Sequence, residues 1–278
     1  MKTIVAHLSP DIDSITSVWL IRRFLPGWSE ADIRFVPAGT TLNREKPDSN
    51  IDVIHVDTGF GRFDHHQTAA HTSATRLVYD FLKKNDHLKK SQVIPLERMV
   101  DQITDFDHFG EAYFPEADAD HYEFMLHKII DAGIKSILKD DLKINEAVFP
   151  FLDAVLNIFV KKTSAEAIIE KGFTFNSRWG KSLALETKNE ETTKLALKKG
   201  YKFVAKKDPD RGNIRIKTFP DKKYTLKPLY EKIVSVDKKA TWFLHSSGNM
   251  LLNSSSKNPN FIPSKLTLNQ LIEIVKNI

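Results

Sequence analysis

Several short apolar stretches in the first 107 residues stop at a histidine or an aspartate, and that pattern constrains the fold more than any other feature of the chain. Ile4-Val5-Ala6 meets His7, then Asp11 and Asp13. Val53-Ile54-His55-Val56 meets Asp57, Phe63 meets Asp64-His65-His66, and the pattern Val93, Leu96, Val100, Ile103 leads to Asp105. Runs this short read as buried strands: Ile4–Ala6, Ile33–Val36 and Ile51–Val56. Between the first two, Ile15, Val18, Trp19 and Leu25 repeat at helical spacing, ended by Pro26-Gly27. Strand–helix alternation predicts a largely parallel sheet with helices on both faces. Ligands bind at the carboxyl ends of strands in such folds, and the His and Asp residues fall there.

The donor types suggest a chemistry. Imidazole and carboxylate without thiolate (the chain has no cysteine) suit Mn²⁺, Fe²⁺, Mg²⁺ or, less well, Zn²⁺. His7 and Asp11 can reach one ion from a tight loop, Asp13 can point to a neighbouring ion, and Asp57 would bridge with one oxygen for each. Two cations roughly 3.5–4 Å apart clamp the oxygens of a phosphoryl displacement and activate water. Hydrolysis of a phosphate ester or anhydride follows as the expectation. Each residue alone has a plainer reading. A lone His after a strand is more often a satisfied core residue, Asp11 can cap the next helix, and His55 reads as structural. His71, His87, His121 and His127 carry no spacing signal. The ordered set outweighs these readings.

At these residues the sequence resembles the DHH phosphoesterase superfamily. His7–Asp13 matches its H-x-x-x-D-x-D motif, Asp57-Thr58-Gly59 the second motif, Asp64-His65-His66 the third, and Asp105 the fourth. Arg62–Gln67, Thr72–Tyr79 and Val100–Ile103 look further like the melanocyte-proliferating-gene-type hydrolases, described as metal-dependent nucleases acting on RNA; the first motif departs from that branch. The resemblance implies His7, Asp11, Asp13, Asp57, His65 and Asp105 as ligands of two Mn²⁺ or Mg²⁺ ions. Asp101 and Asp107 lie beside Asp105, and only one of the three needs to bind metal; Asp105 is favoured because it ends the apolar helix pattern. His66 would face the substrate phosphate as a donor to an anionic oxygen, with Arg76 as a further substrate contact.

The net charge of +5 hides a division. Residues 1–170 hold 19 Lys+Arg and 27 Asp+Glu, a balance of −8, whereas residues 171–278 hold 22 and 9, a balance of +13. A basic half attracts polyanions, although a lysine-rich surface is also ordinary. The expected organisation is a catalytic domain at 1–120, a helical connector at 121–172 and a smaller basic α/β domain at 173–278. In that last domain Ser182–Leu185, Tyr201–Ala205, Ile214–Lys217 and Trp242–His245 read as strands. Glu190–Lys199 and Leu266–Lys276 read as helices, and the turn 208–213 joins two strands as a hairpin. His245, Ser246 and Ser247, then Ser255 and Lys257, offer small polar groups and a cation that can hold phosphate oxygens. The resemblance places a substrate-gripping second domain at this point in the chain.

The expected protein is a cytoplasmic hydrolase of phosphodiesters, without a leader or a bilayer-length apolar run. Its partner is a phosphate-containing substrate, with RNA or an oligonucleotide among the candidates; no membrane is involved, and a homodimer is compatible. Two rivals are a small-molecule phosphatase or pyrophosphatase using the same site, and a non-catalytic nucleotide- or RNA-binding protein with a relic site. Retention of every expected ligand argues against the relic.

Overall fold

The computed structural model describes residues 1–253 and 260–278. The chain separates into two compact units, Met1–Val160 and Lys161–Ile278. In the first, β1 (Thr3–His7), β2 (Asp32–Val36) and β3 (Val53–His55) form a parallel sheet in the order β2-β1-β3. Ile4 on the central strand pairs in register with Ile33 and Ile54. Parallel neighbours need a crossover, and α1 (Ile12–Phe24) supplies the first one. The helices α2 (Ala74–Lys84) and α3 (Lys90–Asp107) flank it. Ile4, Ala6, Val18, Trp19, Ile54, Val78, Leu82, Leu96 and Val100 share one core. Because the three strands run the same way, their carboxyl ends open into loops at one edge. His7 closes β1 there, and Asp57 follows β3 by two residues.

After α3 the chain runs through short turns into α4 (Leu126–Lys128), a wide π-helical turn at Ile129–Ile134 and α5 (Lys135–Ile137). The long helix α6 (Asp141–Lys171) follows. Ile130, Ile144, Val148 and Leu152 enter the first core, so much of the segment read as a connector packs into the first unit.

The second unit is a six-stranded mixed sheet in the order β4-β5-β6-β7-β9-β8. Its strands are β4 (Phe173–Ser177), β5 (Gly180–Glu186), β6 (Phe203–Lys207), β7 (Ile214–Thr218), β8 (Trp242–Leu244) and β9 (Met250–Asn253). Its helices are α7 (Glu191–Lys198), α8 (Lys227–Val236) and α9 (Leu268–Lys276). β5 and β6 are parallel, with α7 as their crossover, and β6 and β7 form the expected antiparallel hairpin. The α/β class therefore holds in both units. Among the described residues no helix is long and apolar enough to cross a membrane.

Candidate metal centre

The loop that leaves β3 is built to present Asp57. Its backbone is left-handed (φ 54°), a conformation Asp tolerates better than bulky residues, and its amide donates to Phe63 O at 2.9 Å. Gly59 follows at φ 81°, where a Cβ would lie 2.8 Å from Thr41 Cγ2 and 3.2 Å from Thr40 O. Only glycine fits that turn without displacement. The result is a carboxylate, 2% exposed, with each oxygen facing a different imidazole. Oδ2 lies 3.1 Å from His7 Nε2, and Oδ1 lies 3.4 Å from His65 Nε2.

Around these two contacts the other ligand candidates assemble. His7 donates from Nδ1 to Leu8 O at 2.8 Å, which fixes the ring and leaves Nε2 facing Asp57. Asp11 caps α1 through Oδ1, accepting from Ser14 N at 2.9 Å, while its Oδ2 sits 3.9 Å from His7 Nε2. One oxygen of Asp11 thus caps the helix while the other faces His7. Asp13 is fully buried and accepts from Ala74 N and Thr75 N, each at 2.8 Å, at the start of α2. Its Oδ2 is 3.8 Å from His65 Nε2. Free amides at a helix N-terminus favour such an anion. His65 Nε2 also lies 3.5 Å from Asp107 Oδ2.

The electrostatics show how crowded the cluster is. Burial, then Asp57 and Asp107, push Asp13 up to about 8. Burial, against the pull of His65, raises Asp107 to about 6, and burial with Asp57 raises Asp11. His7 loses basicity to burial, but its bond to Asp57 prevails and lifts it to about 9. The nearby Asp57 carboxylate likewise lifts His65 to about 9. Burial would raise Asp57 too, yet its two histidine partners hold it below the ordinary range. Protons thus supply the positive charge that four neighbouring carboxylates require. Asp57 Oδ1 and His65 Nε2 are nonetheless buried without a hydrogen-bond partner. Orphaned donors and acceptors at a His/Asp cluster fit a bound cation. Two ligand-atom groups satisfy that geometry around Asp57 and His65: His7, Asp11 and Asp57, and His65, Asp107 and His108.

Asp105 does not join the cluster. Its Oδ1 faces His71 Nε2 at 3.6 Å, and its side chain is half exposed. The physical reason is the length of α3, which runs through Asp107 instead of ending near Asp105. Two residues turn a helix by about 200°, so Asp107 and Asp105 point to nearly opposite sides. Asp105→Asn should therefore leave metal stoichiometry unchanged, while Asp107→Asn should reduce it; elemental analysis of the two variants checks both outcomes. Asp101 pairs with Arg76.

The outer histidine stands apart from the inner one. His66 Nδ1 donates to Asp64 Oδ1 at 2.7 Å, and the Asp64 carboxylate also accepts from the His66 and Phe60 amides. His66 is a little over half exposed, leaving Nε2 turned away from its orienting carboxylate. A third ligand-atom group joins His66 to Asp57 and His65, but Nδ1 lies 3.8 Å from Asp57 and is engaged by Asp64. His55 accepts from Leu42 N at 3.0 Å and is buried, as a structural histidine. Arg76 turns to Asp101 and Asp80 and lies over the Tyr79 ring. In the second unit His245, Ser246 and Ser247 form the exposed turn between β8 and β9, with His245 Nδ1 2.9 Å from Ser247 Oγ. Ser255 and Lys257 lie outside the described residues. His108 carried no role in the sequence reading, Asp64 entered it only as part of the Asp-His-His motif, and Asp107 was an alternative to Asp105 that the end of α3 brings beside His65.

The family model for the C-terminal domain of ChrB matches residues 5–159, more than half of the chain. A search of curated proteins returned no match. Among solved structures the chain is similar to RecJ in complex with Mg²⁺ from Thermus thermophilus, at 13% identity and a TM-score of 0.35. That likeness covers 99% of this chain and 49% of RecJ, so the chain spans about half of the RecJ length. It is also similar to the DHH domain of a member of the S1p family of ribosomal proteins (10% identity, TM-score 0.35, 99% and 86% of the two chains). An exopolyphosphatase-related protein from Bacteroides fragilis is a third (12%, 0.29, 99% and 91%).

Proposed function

The chain belongs to the ChrB C-terminal-domain family, and from that premise and the geometry of its acid–histidine cluster we propose that it is a metal-dependent phosphoesterase acting on phosphodiesters. The observation that carries the reading is Asp57, whose two oxygens each face a separate imidazole with a separate aspartate behind it. His7, Asp11 and Asp57 would hold one divalent cation; Asp57, Asp13, His65 and Asp107 would hold a second. Mn²⁺ or Mg²⁺ suits this oxygen-rich set, and a bound pair would supply activated water and neutralise phosphoryl oxygens.

The chain's own residues do the rest. Asp64 fixes the His66 ring, so Nε2 is offered to a substrate oxygen without a search over rotamers. His7 and His65 are oriented before any ligand arrives, one by Leu8 O and both by Asp57. His66→Ala should lower turnover by about a hundredfold or more with metal content retained; loss of an ion would reverse the roles of the two histidines.

The second unit supports a polyanionic substrate such as RNA or an oligonucleotide. It carries 24 Lys+Arg against 11 Asp+Glu, while the first unit carries 17 against 25. Lys206 is not part of the free surplus: it is buried and pairs with Glu190 at 2.5 Å. Lys207 donates to Leu266 O at 2.6 Å. Exposed cations such as Lys198, Lys199 and Lys222 are the better probes. The test is a panel of 5′-labelled RNA, dinucleotides, 3′,5′-bisphosphates and pyrophosphate with Mn²⁺ and metal-free controls. Reversing those three lysines to Glu should weaken oligonucleotide binding and flatten its salt dependence, while sparing a dinucleotide. Cleavage of pyrophosphate alone would instead favour the small-molecule reading.

A further inference from the structure

The two faces of the second unit's sheet are not covered alike. Ile216, Leu251 and Trp242 point to one side, where α8 and α9 pack through Ile233 and Leu271. Side chains alternate across a strand, so the residues between them face the other way. Pairing in register lays those out in two rows across the sheet. Leu185, Lys206, Arg215, Leu252 and Phe243 form one row. Leu183, Val204, Lys217 and Met250 form the other, which ends at His245, whose amide donates to Met250 O at 2.9 Å. Leu183, Leu185 and Val204 are covered by α7, in a core with Ala196. That cover stops at β6. Beyond it Met250, Leu252 and Phe243 belong to none of the three hydrophobic clusters of the described residues, and Phe243 is 47% exposed.

The strands β7, β9 and β8 therefore present an open face, with cations on β7 and apolar and aromatic groups beside them. Arg215 shares the carboxylate of Glu190 with Lys206. Lys217 has no such partner among the described residues. Burial, then Arg215 and Lys194, hold its ammonium below the usual lysine range, with Glu190 pulling the other way. A half-buried cation beside two others calls for an anion. Arg215 and Lys217 stand two residues apart on one face of a strand, about 7 Å along it, a spacing that successive phosphates of an extended strand can meet. Phosphates held there would carry their bases over Leu252, Met250 and Phe243, and stacking on an exposed ring tolerates any base. A duplex keeps its base faces stacked inside and would use the cations alone. A second copy of the chain would set this cationic face against its own equivalent.

We propose that the uncovered face of β7, β9 and β8 binds single-stranded nucleic acid, with phosphates on Arg215 and Lys217 and a base on Phe243. The proposal names the face and the form of the polyanion for the second unit; its link from binding to hydrolysis rests on the phosphoesterase reading.

Binding is measured without metal, so that cleavage plays no part. The full chain in EDTA is titrated into a 5′-labelled oligouridylate of about 12 nucleotides and into an RNA duplex of the same length, reading anisotropy across a salt series. The single strand should bind at least about tenfold more tightly than the duplex. Phe243→Ala should weaken single-strand binding by about tenfold with the salt slope unchanged, and Phe243→Trp should restore it, because stacking needs a ring and no charge. Lys217→Glu should weaken it by about tenfold or more and lower the salt slope by about one. Lys232→Glu, the same charge change on α8 behind the other face, should stay within about twofold of the parent. Phe243 lies in no core and Lys217 carries no ion pair, so the variants keep the fold, which circular dichroism checks. Equal affinity for strand and duplex, or equal losses in Lys217→Glu and Lys232→Glu, would mean that net charge alone acts and would overturn the proposal. Equal competition by polyglutamate, which points to an acidic protein partner, overturns it too, as does dimerisation that Phe243→Ala abolishes in gel filtration. The expected binding pattern without hydrolysis of bis(p-nitrophenyl) phosphate in Mn²⁺ upholds the face and removes the phosphoesterase reading. Hydrolysis without that pattern does the reverse.

Discussion

Replacing Asp57 by Asn should abolish hydrolysis, by a factor of about a thousand or more on the scale set by losing a metal's charge stabilisation, and remove at least one equivalent of divalent cation. Asp57 is the residue shared by both halves of the cluster, with Oδ2 at 3.1 Å from His7 and Oδ1 at 3.4 Å from His65. An amide of the same shape keeps one acceptor, but it turns the other oxygen into a donor aimed at a nitrogen. It also removes the charge that raises both histidines and that two cations would share. The fold should survive, because the turn around Asp57 is held by its own amide on Phe63 O and by Gly59, neither of which the substitution touches. Elemental analysis of the purified variant is the decisive measurement. Undiminished metal content would refute the bridging assignment, and unchanged turnover would refute the site.

Much of this was legible because the chemistry-bearing residues sit where periodicity changes. His7 ends a strand and Asp57 follows one, and both positions follow from where the apolar runs stop. Ser73 caps α2, accepting from Arg76 N. The preference for Asp105 over Asp107 rested on taking the helix end from the last large apolar residue of the pattern. Phe106 continues the buried face, and Asp107 is the last residue of the helix, so the register of the turn, and not the apolar pattern, decides which carboxylate faces His65. In the second unit α8 went unseen because only Leu229 and Ile233 are buried on it, too few to establish a period. β4 went unseen because three of its five residues are exposed and three are polar.

Binding of divalent cations at pH 7 should release about three protons per chain, and the metal-free protein should lose stability as pH rises. His7 and His65 titrate near 9 in the fold against an ordinary 6.5. Their pairing with Asp57 therefore contributes fully below about pH 6.5 and is lost as pH climbs through 9. Asp13 acts in the same direction from a different cause. Burial among carboxylates raises it from 3.8 to about 8, so its ionisation works against the fold over that interval. Asp57 runs the other way, contributing above its ordinary value and losing its contribution only as pH falls through its depressed one. Between pH 6.5 and 9 the raised groups dominate, and Tm of the metal-free protein should fall across that window. Cations reverse the trend: ligands bind metal deprotonated, so His7, His65 and Asp13 each give up a proton, and affinity should rise with pH over the same range. Calorimetric titration with Mn²⁺ in two buffers of different ionisation heat measures the protons directly, and thermal melts with and without Mn²⁺ give the widening gap. Release near zero would mean that the imidazoles and Asp13 are not ligands, whereas release confined to a single proton would leave one cation on the His7 side and none beside His65.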